Sequence, residues 1–177
     1  KKIFKEENMN SKFLKINDLK KIKFKKKGSN IKISKNITII GAKNISIGSN
    51  VRIDDYTVIS SNEGSLKIGS NVHIGAQSYL GCAGKIQIGN DVNLSQGVRI
   101  YSKIDDYLKY RKGNKTILGS VEIDNHVIIG SGTVIIGHCK IAEGAVVGAL
   151  SLVKSNLKKW SINAGIPTKF IKTRKKK

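Results

Sequence analysis

The side chains best suited to proton transfer lie in two places in this 177-residue sequence. His73 is one of three histidines, and imidazole changes its charge near neutral pH. Asp105 and Asp106 are adjacent carboxylates in a long polar stretch, and a neighbouring like charge or partial burial makes a carboxylate a better base. Either place could supply a general base that removes a proton from an attacking hydroxyl group.

A nine-residue phrase that occurs four times predicts the scaffold that holds these groups. It reads ISIGSNVRI from Ile45, LKIGSNVHI from Leu66, IQIGNDVNL from Ile86 and VEIDNHVII from Val121. Aliphatic residues recur every six positions, and a small or β-branched residue usually follows four positions after each. This hexapeptide repeat predicts an all-β fold, a parallel β-helix in which three hexads form one triangular coil and stacked coils share a core. Gly, Asn, Asp and Ser are expected at the corners.

The repeat also places side chains relative to one another. His73 holds the same repeat position as Arg52, Asn93 and Ile128, so these four residues are expected in one outward column. In that column Asn93 would orient the His73 ring. His126 and His138 fall in corner positions, which favours a turn role for both.

Every interruption of the six-residue period falls after the third hexad of a coil. Stacked coils would bring these interruptions to one edge of the solenoid, and loops held on a rigid scaffold often carry function. The longest interruption, about residues 101–120, is too long and polar to be a mere connection. We therefore expect this loop to form part of a functional site.

Composition sets further bounds. The formal net charge is +21, and lysine is densest in residues 1–27 and 154–177. Lysine greatly outnumbers arginine and no nucleic-acid-binding motif occurs. We therefore expect a solvated basic surface or contact between the basic termini and an anionic membrane surface, and no nucleic-acid partner.

The expected organisation has three parts. Residues 1–30 form a basic lead-in that caps the solenoid, residues 31–155 form the coils, and residues 156–177 form a C-terminal segment with a basic tail. The sequence has no membrane-spanning run or hydrophobic signal region, and Cys82 and Cys139 lack metal or redox spacing. A cytoplasmic protein is predicted.

Two late segments resemble the closing signature of a known family. GALSLVK at 148–154 and AGIPTKFI at 164–171 are similar to the ends of hexapeptide-repeat acetyltransferases, which include galactoside and maltose O-acetyltransferases and the sugar O-acetyltransferases of capsule and O-antigen clusters. The resemblance covers about residues 31–174. It implies a left-handed β-helix, acetyl-CoA as co-substrate, and a homotrimer with active sites between neighbouring subunits.

The resemblance also implies binding residues. Small residues in the late coils let the cofactor approach the backbone, although each could equally serve as a structural corner. The implied cofactor contacts are Gly130, Ser131, Gly148, Ala149, Ser151, Lys154 and Lys169, the two lysines facing the CoA phosphates. The implied acceptor contacts are Gln77, Asn93 and Tyr107. No metal is expected, because the zinc-dependent carbonic anhydrases of this fold need two histidines close in sequence.

The sequence departs from the family at the general base. The histidine that the family places at the start of the long loop corresponds to Asp105, and the loop contains no histidine. Three alternatives remain: Asp105 or Asp106 is the base, His73 is the base, or the acceptor is an amine and no base is needed.

We predict an acetyl-CoA-dependent O-acetyltransferase that acts on a sugar hydroxyl in surface polysaccharide synthesis. The alternatives are an N-acetyltransferase on a nucleotide-linked amino sugar and an inactive structural or binding trimer.

Overall fold

Three parallel sheets form the faces of a triangular solenoid. The structure is a computed structural model that describes residues 12–105 and 116–175. Sheet 1 contains β1 (Lys26–Lys27), β4 (Ile45–Ile47), β7 (Ser65–Ile68), β10 (Lys85–Ile88), β15 (Ser120–Ile123) and β18 (Cys139–Ile141). Sheet 2 contains β2 (Lys32–Ile33), β5 (Arg52–Ile53), β8 (His73–Ile74), β11 (Asn93–Leu94), β16 (Ile128–Ile129), β19 (Val146–Val147), β21 (Ser161–Ala164) and β22 (Lys169–Thr173). Sheet 3 contains β3 (Thr38–Ile40), β6 (Val58–Ser60), β9 (Tyr79–Gly81), β12 (Arg99–Tyr101), β17 (Val134–Ile136) and β20 (Leu152–Val153).

The chain visits sheets 1, 2 and 3 in turn, so each coil has three corners, which we call the 1–2, 2–3 and 3–1 corners. Six coils are present in the described part of the chain, and this confirms the predicted hexapeptide-repeat solenoid. The aliphatic residues of the repeat face the interior, as Ile53, Ile74 and Leu94 show with no exposed surface. The small residues four positions later, including Thr57, Ser78 and Thr133, are also buried.

The 1–2 corner shows why the repeat needs asparagine. Asn30, Asn50, Asn71 and Asp91 all have φ between 50° and 57°, a left-handed backbone that asparagine and aspartate tolerate better than most residues. Their side chains form a ladder, in which Asn50 donates to Asn71 at 3.0 Å and Asn71 donates to Asp91 at 2.9 Å. His126 takes the next position with φ of 59°, so the expected turn role is confirmed.

The interruptions of the repeat meet at the 3–1 corner, as the spacing predicted. There β13 (Lys103–Asp105) and β14 (Thr116–Leu118) extend from the fourth coil as an antiparallel pair. The shorter loops after β6 and β9 lie on the coils below, and the backbone N–H of Ser65 donates to the carbonyl of Gly84. The β13–β14 pair therefore extends from the same edge of the solenoid as the two shorter loops.

The solenoid extends beyond residues 31–155 at both ends. Strand β1 already pairs in parallel with β4, and β21 pairs in parallel with β19. Both segments continue a sheet because an open solenoid end would leave strand edges and apolar residues uncovered. A short helix, α1 (Ile16–Lys21), places Leu19 against the first coil, and β22 folds back antiparallel on β21. Among the residues described, no helix is long and apolar enough to cross a membrane.

Candidate active site

The predicted outward column is present on sheet 2. Arg52 pairs with His73, His73 with Asn93, and Asn93 with Ile128 in consecutive strands. The Nδ1 atom of His73 lies 2.9 Å from Oδ1 of Asn93, so Asn93 orients the ring as predicted. The column is thus a defined polar strip that changes to aliphatic residues from Ile128 onwards.

The partner of the other ring nitrogen is a residue that the sequence analysis missed. Nε2 of His73 lies 2.8 Å from Oδ2 of Asp54, and Arg52 donates to the same carboxylate from Nε at 2.7 Å. Asp54 is buried, whereas its two partners are partly exposed. Both His73 nitrogens are therefore engaged, and the imidazole must release one of these contacts before it can accept a proton from a substrate.

Burial alone would raise the pKa of the Asp54 carboxyl, but hydrogen bonds from Arg52 and His73 and their positive charge bring it below its ordinary value. Because the folded pKa is lowered, the carboxylate stabilises the fold above its ordinary unfolded pKa, and this stabilisation disappears as the pH falls through the folded value.

Asp54→Asn is expected to reduce the free energy of unfolding at pH 7 by about 1–3 kcal/mol. Urea unfolding at pH 7 and pH 3 checks this, since the difference from the parent protein should shrink at pH 3. An equal difference at both pH values would contradict the account.

A cavity of about 500 Å³ lies on the outer side of sheet 3 beside the 3–1 corner. Its walls include Tyr79, Tyr101, Lys103 and Asp105, together with the short loop after β9. Asp105 ends β13, is paired with Thr116, and is exposed. The structure therefore sets Asp105 at a cavity and His73 on a different face of the same chain. Asp106 and Tyr107 lie outside the described residues.

The small residues implied as cofactor contacts gather at the 2–3 corner. Gly130 and Gly148 occupy equivalent positions in consecutive coils, and Ser131 and Ala149 follow them. A Cβ atom at Gly130 would lie 2.5 Å from the backbone nitrogen of Ala149, so coil stacking already requires glycine there. Gly130, Ser131 and Gly148 are half-buried and Ala149 is exposed, and their role in binding remains a prediction.

Three of the remaining implied contacts lie at the C-terminal end of the solenoid, and Gln77 lies on the third coil. Ser151 is buried, and its hydroxyl oxygen accepts a hydrogen bond from the backbone N–H of Gly165 at 3.1 Å. Lys169 is exposed where β22 begins, and Lys154 is exposed just after β20. Gln77 is exposed at the 2–3 corner with φ of 60°. Within the described residues, no group of three or more His, Cys, Asp or Glu side chains is placed to hold a metal ion.

Comparison with known proteins identifies the family. A dTDP-4-amino-4,6-dideoxy-D-glucose acyltransferase of Escherichia coli is 40% identical over 167 residues, which cover 90% of this chain and 87% of that protein. The chain belongs to the hexapeptide-repeat acyltransferases. AntD, an N-acyltransferase from Bacillus cereus solved with dTDP and 3-hydroxybutyryl-CoA, matches with a TM-score of 0.84 and 36% identity over 93% of this chain and 90% of that one. No protein-family model matches the sequence.

A more distant solved structure shares the fold of this acyltransferase. A maltose O-acetyltransferase from Clostridium difficile is 22% identical, covers 99% of this chain and 80% of that one, and has a TM-score of 0.65. The predicted family, all-β fold and acyltransferase class are thus confirmed. Both of the more similar relatives are named for amino-sugar or N-acyl chemistry, so the comparisons favour the alternative of N-acylation over O-acetylation of a sugar hydroxyl.

The cysteines of this acyltransferase are not placed to carry an acyl group. Burial raises the pKa of the Cys82 thiol to about 12 and that of Cys139 to about 11, so both stay protonated at neutral pH. Iodoacetamide at pH 7.5 is therefore expected to leave the native enzyme unlabelled and fully active, and to label both thiols in urea. Mass spectrometry with a parallel activity assay checks this. Rapid labelling of the native enzyme with loss of turnover would contradict it.

Proposed function

We propose that this enzyme transfers an acyl group from acyl-CoA to the amine of a dTDP-linked 4-amino-4,6-dideoxy sugar. The observation that carries the proposal is the 40% identity, over 90% of the chain, to an acyltransferase named for that sugar nucleotide. AntD supports it, because solved AntD structures contain dTDP-4-amino-4,6-dideoxyglucose and coenzyme A. Acetyl-CoA is the proposed donor, as the sequence analysis expected, and the acceptor changes from a hydroxyl to an amine.

The proposed reaction is direct. The amine nitrogen attacks the thioester carbonyl, a C–N bond forms, the C–S bond breaks, and the sulfur leaves as CoA thiol after gaining a proton. The nitrogen loses a proton during the same reaction, and Asp105 is the proposed acceptor of that proton. A neutral amine attacks a thioester without first losing a proton, so no loop histidine is needed for the attack. Asp105 is proposed to act after the attack, on the proton that the nitrogen must lose as it becomes an amide.

The spacing between a serine and an aspartate in AntD supports Asp105 over the other candidates. Solved AntD variants carry substitutions at an aspartate and at a serine ten residues before it. Ser95 and Asp105 are the one serine–aspartate pair with that order and spacing in this sequence. Ser95 is half-buried at the 2–3 corner, in the coil position that Asp54, Gly75 and Gly130 hold in other coils.

We further propose a homotrimer in which each active site lies between two subunits. Ser95 at the 2–3 corner and Asp105 beside the 3–1 corner lie on opposite edges of sheet 3, and a neighbouring subunit could bring two such edges together. Leu150 is 73% exposed, Ile166 75% and Phe170 60%, which suits a surface that a second copy covers.

The strip formed by Gly130, Ser131, Gly148 and Ala149 would bind the pantetheine arm, with Ser151 supporting it from inside. Lys154 and Lys169 would face the CoA phosphates.

Release of CoA thiol from acetyl-CoA, measured over a panel of acceptors, tests the proposal. The panel contains dTDP-linked and UDP-linked amino sugars, the corresponding free sugars, and neutral glycans. We expect turnover with a dTDP-linked 4-amino sugar and a product that resists hydroxylamine, because an amide survives conditions that cleave an ester. Turnover only with hydroxyl acceptors, or a product that hydroxylamine cleaves, would overturn the proposal. Contact of the basic termini with anionic membranes stays a prediction.

A further inference from the structure

The cavity beside the 3–1 corner contains an aromatic pair that the proposed chemistry does not use. The ring centroids of Tyr79 and Tyr101 are 5.2 Å apart and their planes are tilted by 35°. Both residues are half-buried and line the cavity, although they lie on adjacent strands of a sheet whose interior side already forms the core. Two aromatic side chains on the outer side of such a sheet are available to a ligand.

A glycine gives the pair its arrangement. Gly81 follows two residues after Tyr79 on the same side of β9, and a Cβ atom there would lie 2.8 Å from Cε1 of Tyr79. The Tyr79 ring therefore lies over the backbone of Gly81, and any larger residue would push it away. By omitting one side chain, the chain leaves room for the Tyr79 ring beside that of Tyr101 in the cavity wall.

Strand β13 carries a positive side chain and then a negative one beside the aromatic pair. Lys103 lies in the cavity wall and its Nζ is 3.9 Å from Oε2 of Glu63, a loose ion pair at an exposed carboxylate. Asp105 follows two residues later on the same strand. A ligand that suits this wall carries an aromatic ring, a negative group near Lys103 and a positive or amine group near Asp105.

We propose that Tyr79 and Tyr101 form the stacking surface for the base of the nucleotide-linked acceptor, with Lys103 at the diphosphate and Asp105 toward the sugar amine. This inference rests on the proposed function, and it assigns the acceptor to the 3–1 corner. A nucleotide-linked amino sugar carries base, diphosphate and amine in that order, which matches the aromatic pair, the lysine and the aspartate. The volume of the cavity is also in the range of small-molecule sites, about 300–1,000 Å³.

The probe for the test is dTDP, with acetyl-CoA as the second ligand, each titrated by calorimetry into the 177-residue protein. Removal of one stacking ring typically weakens base binding by about tenfold or more. Tyr101→Ala is therefore expected to raise the dissociation constant of dTDP at least about tenfold and to leave that of acetyl-CoA within about twofold. Tyr101→Phe keeps the ring and is the matched control, with affinity close to that of the parent.

A second variant tests the surface without removing a ring. Gly81→Ala displaces the Tyr79 ring and is expected to weaken dTDP about fivefold or more, with no change for inorganic pyrophosphate. Lys103→Ala should weaken both dTDP and pyrophosphate. Circular dichroism of each variant reports whether the fold is intact.

The remaining outcomes distinguish failure of this inference from failure of the proposed function. Weaker acetyl-CoA binding with unchanged dTDP binding would show that the aromatic pair holds the base of CoA and would overturn the inference alone. Unchanged binding of both ligands in Tyr101→Ala and Gly81→Ala would also overturn it, while turnover of the dTDP-linked amino sugar by the parent enzyme would leave the proposed function standing. If the parent enzyme neither binds dTDP nor turns over a dTDP-linked amino sugar, the proposed function fails and the inference fails with it.

Discussion

Asp105→Asn is expected to lower kcat on the dTDP-linked amino sugar by at least about a hundredfold. The nitrogen must give up a proton as it becomes an amide, and a carboxylate can take that proton whereas a carboxamide cannot. Asp105 suits this task because the β13–β14 pair holds its backbone while its side chain stays exposed at the cavity. Steady-state kinetics with saturating acetyl-CoA measures the effect, and KM for acetyl-CoA is expected to change little.

His73→Ala provides the matched comparison. Its ring nitrogens are engaged by Asn93 and Asp54 on sheet 2, so its removal is expected to reduce kcat less than tenfold. Asp105→Glu keeps the carboxylate and should recover part of the activity. A loss below tenfold for Asp105→Asn, or a larger loss for His73→Ala, would show that Asp105 is not the proton acceptor.

The largest expected effect on stability is at Gly64, in the short loop after β6. A Cβ atom there would lie 1.9 Å from the carbonyl oxygen of Gly84 and 2.4 Å from that of Cys82. Both contacts are to the backbone of the next coil, which cannot move aside as a side chain can. Gly64→Ala is therefore expected to reduce the free energy of unfolding by about 3 kcal/mol or more. For a chain of this size, that corresponds to a melting temperature lower by roughly 6–12 °C.

Gly137→Ala controls for the general effect of replacing a corner glycine. Gly137 has φ of +80°, and a Cβ atom there would meet nothing within 4 Å. Only backbone strain opposes the substitution, so about 1–2 kcal/mol is expected. Calorimetric melting of both variants makes the comparison. Equal losses would show that the contact between coils at Gly64 relaxes at little cost.

The hexapeptide period made most of the architecture predictable. Once Ile53, Ile74 and Leu94 are known to share an inward column, the residues beside them must share outward columns as well. This is why the contact between His73 and Asn93 can be predicted from the sequence. Periodicity was equally informative about the loops, since every extra residue had to leave the coil at the same corner.

Asp54 was missed although a signal for it was present. It directly follows Ile53 in the repeat, and the equivalent residues of other coils include Gly75, Ser95 and Gly130. A carboxylate among such small residues, two positions after Arg52 and beside the column of His73, could have been singled out. The repeat gave its position, but only side-chain geometry shows that the carboxylate turns toward both partners.

The aromatic pair could not be derived from the period. Tyr79 and Tyr101 hold different positions in their coils and meet only diagonally across two strands, because Gly81 leaves space for one ring. The acceptor chemistry was also beyond the repeat, which specifies the scaffold and not the ligand. The resemblance of the C-terminal signature led to O-acetylation, and similarity over the whole chain favours an amine acceptor.

The most direct measurement is the ratio of kcat/KM for two acceptors that differ at one atom. The first is the dTDP-linked 4-amino-4,6-dideoxy sugar, and the second is the same sugar nucleotide with a hydroxyl in place of the amine. We expect a ratio of at least about a hundred in favour of the amine, because a neutral amine attacks a thioester far more readily than an alcohol does, and the long loop has no histidine to activate a hydroxyl group. A ratio near one, or a preference for the hydroxyl, would contradict N-acylation as the function of this enzyme.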